Sequence, residues 1–273
     1  MASIQKVTSE TEYISMDISR EFHSEDKSTY WLPKDEEEQK RLIANLDFEK
    51  GVTILDVGCG SGVWMMDMMH EYPNCTFYGC DIVNTVNRVL DLEKINFSYG
   101  NVVKGLPYPD NTFDFVHMRF FVLALRIDEW PLAVKEVIRV TKPGGFIQLS
   151  DVDGKLPKET SVAYYKLMSA IQTACNSRGQ NAEMGKELDN LVRENDNVKI
   201  VQADYRAYEN TAAAKKFVWD IVEGAKSMQP ALGPLLGLKN KVDMDHFSKE
   251  LKHCLETKES FFYLNSVAAQ KIQ

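Results

Sequence analysis

Residues 54–62 read Ile-Leu-Asp-Val-Gly-Cys-Gly-Ser-Gly, an apolar run entering three alternating glycines, and an acid, Asp81, follows nineteen residues after Gly62. Gly58, Gly60 and Gly62 admit positive φ and carry no Cβ, so a ligand meets main chain there. A carboxylate at Asp81, the end of the next strand, accepts hydrogen bonds from both hydroxyls of a ribose, which favours an adenosine moiety without a 2′-phosphate. The glycines are spaced G-x-G-x-G, with Val63 where a dinucleotide turn carries its third glycine, which disfavours a pyrophosphate. Asp56, two residues before the first glycine, would repel a diphosphate and attract an ammonium or sulfonium, directly or through water. S-adenosylmethionine carries both of those cations.

Methyl transfer from a sulfonium is an in-line displacement that chiefly needs an oriented acceptor and exclusion of water. A base helps where the acceptor is a hydroxyl or a protonated amine, and His117, Asp151 and Asp153 are the candidates nearest the carboxyl ends of the central strands. Each has an ordinary structural explanation beside it: a satisfied core histidine for His117, turn or cap duty before Gly154 for the two acids. Arg119 either fixes a carboxylate or pairs with a nearby acid. Met118, Phe120 and Phe121 are soft and aromatic surfaces suited to a sulfonium and equally suited to core packing. Met65, Met66, Met68 and Met69 read as filler on a helix that covers the sheet, and Cys59 as a small residue fitting the turn.

Asp56-Val57-Gly58-Cys59-Gly60-Ser61-Gly62 resembles the first motif of class I S-adenosylmethionine-dependent methyltransferases. Family landmarks follow in order: Phe97 to Asn101, Leu106-Pro107-Tyr108, Asn111 to Arg119, and Thr141-Lys142-Pro143-Gly144-Gly145, together covering residues 54–150. Tyr30 to Arg41 and Phe113 to Arg119 resemble the fungal LaeA-like, or TAM-domain, group, which contains regulators of secondary metabolism as well as enzymes that methylate small metabolites. The resemblance implies a cofactor site that includes Tyr30 and Cys59 and in which Asp56, Gly58, Gly60 and Gly62 hold the methionine portion. It gives Asp81 the ribose, Ile82, Asn101 and Val102 the adenine, and Met118, Arg119 and Phe120 the region near sulfur. Asn101 stands where such enzymes often have Asp, and its amide oxygen retains the ability to accept a bond from the adenine amine.

These residues must be held by an alternating α/β plan. Strands are expected near 53–57, 75–81, 95–99, 113–118, 145–151, 198–205 and 261–268, with helices near 63–72, 84–91, 128–140, 162–177, 181–194, 211–227 and 244–255. The resemblance implies a Rossmann-like, mostly parallel seven-stranded sheet whose last strand is antiparallel and inserts beside the sixth, with helices on both faces and a helical lid. One domain is expected over 31–273, with lid elements at roughly 155–195 and 208–257. Residues 1–30 are read as a mobile arm that orders over bound cofactor, and Pro33 opens a helix with acids in its first turn. The segment from Tyr208 to Asn240, with its Pro and Gly residues, is the part of the lid whose geometry the sequence leaves open.

The 273 residues, 44% hydrophobic, suffice for one larger α/β core. A net charge of −8 disfavours the clustered Lys and Arg that nucleic-acid binding draws on. No stretch approaches the roughly 20 apolar residues of a membrane span. The five cysteines are odd in number and include no Cys-x-x-Cys pair and no histidine at zinc spacing, so neither a disulfide scaffold nor a metal site is indicated, and a reducing compartment, the cytoplasm or nucleus, is expected. The expected enzyme methylates oxygen or nitrogen of a small, largely apolar secondary metabolite and releases S-adenosylhomocysteine. Two rivals stand beside it: a LaeA-like regulator or protein methyltransferase acting through protein partners, and a nicotinamide oxidoreductase, which lacks both its turn and a Tyr-x-x-x-Lys pair.

Overall fold

Seven strands form one sheet: β1 (Thr53–Val57), β2 (Thr76–Asp81), β3 (Ile95–Tyr99), β4 (Phe113–Arg119), β5 (Thr141–Asp153), β6 (Val198–Glu209) and β7 (Ser260–Lys271). The computed structural model describes residues 46–83, 95–160, 162–209, 212–257 and 260–273. The strand order is β3-β2-β1-β4-β5-β7-β6. The first five strands pair in parallel, and β7 runs antiparallel between β5 and β6. Chain order therefore reverses between β1 and β4, which opens a crevice beyond their carboxyl ends. The residues of the glycine motif leave β1 into that crevice.

Apolar runs explain why β1 and β4 lie at the centre. Ile54, Leu55, Val57, Phe113, Phe115, Val116 and Met118 are all buried, as strands covered on both faces require. Helix α1 (Val63–Glu71) covers one face, packing Trp64, Met65 and Met68 against Ile54, Phe77, Phe115 and Phe146. Helix α2 (Trp130–Val140) covers the other: Trp130, Ala133, Val134, Val137 and Ile138 recur at helical spacing and bury against the opposite side of β1, β4 and β5. Lys271, at the end of β7, donates to the Ile138 carbonyl (2.8 Å), the Thr141 carbonyl (2.9 Å) and Asn111 Oδ1 (2.7 Å), holding the carboxyl end of α2 to the sheet.

Helices α3 (Ala163–Asn176), α5 (Ala212–Ser227), α6 (Gln229–Leu236) and α7 (Lys241–Thr257) share a separate core that includes Tyr164, Leu167, Val218, Val222, Leu232, Phe247 and Leu251. Pro230 opens α6 and Gly237 closes it in the left-handed conformation, so the Pro- and Gly-rich segment resolves into two consecutive helices.

Beside extensions of β6 to Glu209, of β7 to Lys271 and of α7 to both sides of 244–255, two departures from the sequence-based expectation have a clear physical cause. The helix expected over 181–194 is a 3₁₀ turn (Met184–Glu187) followed by the short helix α4 (Leu188–Arg193). The reason is Gly185, which lies so close to β5 that an added Cβ would meet the Val152 carbonyl oxygen at 2.2 Å, while Asn265 Nδ2 holds the Gly185 carbonyl at 2.9 Å. Strand β5 begins at Thr141 instead of 145, because Thr141 pairs with Phe113 and the register resumes only at Phe115 and Phe146, leaving Lys142 to Gly145 as a bulge. The expected arm over 1–30, the helix opened by Pro33 and the helix near 84–91 lie outside the described residues. Among the described residues no helix is long and apolar enough to cross a membrane, and no cluster of His, Cys, Asp or Glu is suited to hold a metal.

Candidate active site

The turn after β1 uses all three of its glycines at positive φ: Gly58 at 68°, Gly60 at 52° and Gly62 at 80°. Gly58 and Cys59 both donate to the Cys80 carbonyl, which locks the start of the turn to β2. Gly58 has no room for a side chain, since a Cβ there would meet the Phe121 ring at 2.4 Å. Gly60 is the opposite case: nothing lies within 4 Å of where its Cβ would be. That open space over half-buried main chain is what a ligand approaching the backbone requires. Gly62 ends the turn as the amino cap of α1.

Asp81 stands at the tip of β2 with both oxygens engaged, Oδ2 accepting from Gly60 N–H (2.9 Å) and Oδ1 from Val83 N–H (3.1 Å). It fixes the turn and keeps one lone pair per oxygen for a diol. Ile82 and Val83 beside it are exposed apolar side chains, Ile82 at 68%, as suits a flat aromatic base. Asn101 Oδ1 accepts from Val103 N–H (2.9 Å), so the amide shapes its own loop and holds one acceptor position in reserve. Val102 is buried in the core beneath.

Asp56 and His117 are register partners on β1 and β4, and their side chains meet: His117 Nδ1 and Asp56 Oδ1 are 2.9 Å apart. Both are almost fully buried, at 4% and 3% exposure. Trp64 stacks flat on the imidazole, 3.9 Å between centroids and 12° between planes. Burial pushes the Asp56 carboxyl upward and the histidine opposes that shift. This unit lies under the glycine turn, so Asp56 acts on the turn's floor and on the local potential. Cys59 is buried against Gly79, and burial beside Asp56 pushes its thiol far upward, which removes it as a nucleophile.

Beyond β4 the chain turns sharply. Phe120 takes φ 62°, a strained conformation for a bulky residue, and is 40% exposed. The guanidinium carbon of Arg119 lies 5.1 Å from the centre of that ring. Asp151, buried at the end of β5, holds this turn by accepting from Phe121 N–H (2.6 Å) and Val122 N–H (2.9 Å), and it also accepts from Val152 N–H. Burial pushes its carboxyl up to about 7 despite those three donors and the nearby Arg119. Met118 is buried in the core on the α2 side.

Asp153, one repeat farther along β5, accepts from the Tyr205 hydroxyl (2.6 Å), and burial raises its carboxyl as well. The structure thus gathers Gly58, Gly60, Gly62, Asp81, Ile82, Asn101 and Phe120 around the crevice and places Asp56, His117, Met118, Val102 and Asp151 behind its walls. Tyr30 lies outside the described residues. Trp64, Tyr205 and Tyr263 escaped the sequence analysis. Only the position of Trp64 in the first turn after Gly62 could have signalled its role.

A methyltransferase domain family matches residues 54–145. The methyltransferase pytC of Aspergillus terreus is 24% identical over 198 residues, covering 64% of this chain and 59% of that protein. The demethylmenaquinone methyltransferase of Listeria welshimeri is 30% identical over 147 residues, covering 49% and 60%. The chain thus spans about three fifths of the length of these curated relatives. Among solved structures, the [4+2]-cyclase SpnF superposes with a TM-score of 0.55 at 18% identity, covering 86% of this chain and 80% of that one. A phosphoethanolamine N-methyltransferase of Haemonchus contortus, solved with S-adenosylhomocysteine, gives 0.53 at 15% identity, covering 86% and 53%. Residues 54–145 thus match a methyltransferase domain, and the seven-stranded sheet that carries them has the Rossmann-like fold that these solved structures share.

Proposed function

We propose that the protein binds S-adenosylmethionine across the carboxyl ends of β1, β2 and β4 and methylates oxygen or nitrogen of a small, largely apolar metabolite. The observation that carries this reading is the open main chain at Gly60 tied directly to the Asp81 carboxylate, a cradle and a diol acceptor joined by one 2.9 Å bond. When bound, the cofactor supplies a methyl carbon on a positively charged sulfur, with the leaving group built in. The chain's own residues then bind and orient. Gly58, Gly60 and Gly62 offer backbone to the methionine portion, Asp81 takes the ribose, and Ile82 with Asn101 takes the adenine. Phe120 presents an aromatic face near the reacting region and helps to exclude water. Asp151 works as a positioning group, since its Oδ2 is committed to the Phe121 and Val122 N–H groups that shape the Phe120 turn and its Oδ1 to Val152 N–H on β5.

The segments Tyr30 to Arg41 and Phe113 to Arg119, together with the similarity to an Aspergillus methyltransferase, support a place in the fungal LaeA-like group and in secondary metabolism. The absence of a membrane-length apolar helix among the described residues agrees with a cytoplasmic or nuclear enzyme. Incubation with methyl-labelled cofactor and fractionated host extract tests the reading. Label in a small molecule with stoichiometric S-adenosylhomocysteine is expected. Label in protein, or no coproduct from any fraction, would replace it with the reading of a regulator that acts through protein partners.

A further inference from the structure

Where the carboxyl end of β5 meets the helical layer, a second constellation stands apart from the glycine turn. Asp153 is 3% exposed; its Oδ2 is fixed by the Tyr205 hydroxyl, and its Oδ1 is buried without a hydrogen-bond partner among the described residues. A buried carboxylate oxygen left unpaired is costly, and its presence calls for a donor that the fold itself does not supply. Tyr205 and Tyr263, brought together by β6 and β7, stack in parallel with centroids 5.5 Å apart and 9° between planes. The ammonium of Lys155, on the exposed residue two positions after Asp153, lies 5.2 Å from the Tyr263 ring centre. Tyr164 of α3 is close enough for its hydroxyl to feel both Asp153 and Tyr263.

The geometry points to a cation-binding acceptor subsite here: Asp153 and the faces of Tyr263 and Tyr205 take the ammonium of an amine, and Lys155 stands in for it in the free protein. Three features favour an ammonium over a neutral hydroxyl. A hydroxyl would satisfy Oδ1 but leave the ring faces unused, whereas an ammonium uses both at once. The internal lysine already shows that a cation is accommodated over Tyr263. The other nearby cation, Lys186, is committed to Glu183 at 2.5 Å, so exchanging Lys155 for a ligand ammonium leaves the local charge balance unchanged. Burial, the main influence on Asp153, raises its carboxyl, and a bound cation would oppose that shift.

The placement fits an acceptor. Asp153 shares a strand face with Asp151, roughly 7 Å along β5. Asp151 in turn fixes the Phe121 backbone whose ring closes over Gly58. A junction between a sheet end and a helical layer is also where small-molecule sites commonly form. This inference rests on the methyltransferase reading for the word acceptor, but the cation site stands or falls independently.

The test is a titration of the full chain with 2-phenylethylammonium and with neutral 2-phenylethanol, followed by ligand-observed NMR at saturating S-adenosylhomocysteine. The ammonium should bind the wild-type protein about tenfold or more tightly than the alcohol. Asp153→Asn should abolish that preference, and Lys155→Ala should strengthen ammonium binding by removing the internal competitor. Tyr205→Phe keeps the ring face but removes the hydroxyl that orients Asp153, and should reduce the preference by letting the carboxylate turn away from the ligand. Equal affinity for the two probes, or a preference untouched by both Asp153→Asn and Tyr205→Phe, would overturn the inference. Failure of S-adenosylhomocysteine to bind while the ammonium preference persists would instead remove the cofactor reading and leave the cation site in place.

Discussion

Two alanines in the same turn should fail in different ways. Gly58 and Gly60 both sit at positive φ, so an alanine at either pays the left-handed penalty of about 1–2 kcal/mol. At Gly58 the new Cβ also meets Phe121 Cζ at 2.4 Å and Cε2 at 2.6 Å, an overpacking that adds about 1–3 kcal/mol. At Gly60 no atom lies within 4 Å, so no such term arises. Gly58→Ala should therefore destabilise by about 2–5 kcal/mol and Gly60→Ala by only about 1–2 kcal/mol. At roughly 2–4 °C per kcal/mol for chains of 150–250 residues, thermal melts separate the two. Ligand affinity should rank them in reverse for their stability: Gly60→Ala places a methyl group in the cradle and should weaken S-adenosylhomocysteine by about tenfold or more at nearly native stability. Phe121→Leu should recover part of the loss in Gly58→Ala and none in Gly60→Ala, a non-additivity expected only of residues in contact. Wild-type affinity in Gly60→Ala, or equal melting points for the two alanines, would refute the geometry assigned to the turn.

His117→Phe leaves Asp56 buried without its partner and should destabilise by about 3–5 kcal/mol in chemical denaturation, whereas a purely catalytic histidine would leave stability unchanged. Lys271→Met strands the Ile138 and Thr141 carbonyls and Asn111 Oδ1 at the far end of the sheet; stability should fall by about 2–4 kcal/mol while calorimetric affinity for S-adenosylhomocysteine stays as in the wild type. Because burial raises Asp151 to about 7 in the fold, the native state holds an extra proton between the ordinary carboxylate range and that value. Stability should therefore decline as pH rises through that window, with Asp56 and Asp153 adding the same sign, and Asp151→Asn should flatten the slope of melting temperature against pH.

Much of this arrangement can be read along the chain because its signals are local. Ile54 to Gly62 announces a buried strand and its turn in nine consecutive residues, and the buried positions Trp130, Ala133, Val134, Val137 and Ile138 repeat at a helical period. What escaped depends on register between distant segments. The Asp56–His117 pair joins positions 61 residues apart and exists only because β1 and β4 align those two residues. The same holds for Phe121 over Gly58, for Tyr205 on Asp153, and for Gly185, whose close approach to β5 breaks a helix that local periodicity favours. The bulge at Lys142 to Gly145 hides the start of β5 in the same way: Pro143 and Gly144 look like a turn, yet Thr141 before them already pairs with Phe113.

In the proposed function, the Gly60 main chain and the Asp81 carboxylate together hold an adenosine carrying an amino-acid tail. Isothermal titration of S-adenosylhomocysteine and of NADH into the wild-type chain and into Asp81→Asn tests it most directly. One S-adenosylhomocysteine per wild-type chain, much weaker binding in the variant, and no comparable heat from NADH are expected. Saturable NADH binding with none for S-adenosylhomocysteine, or an Asp81→Asn variant that binds as the wild type does, would contradict it.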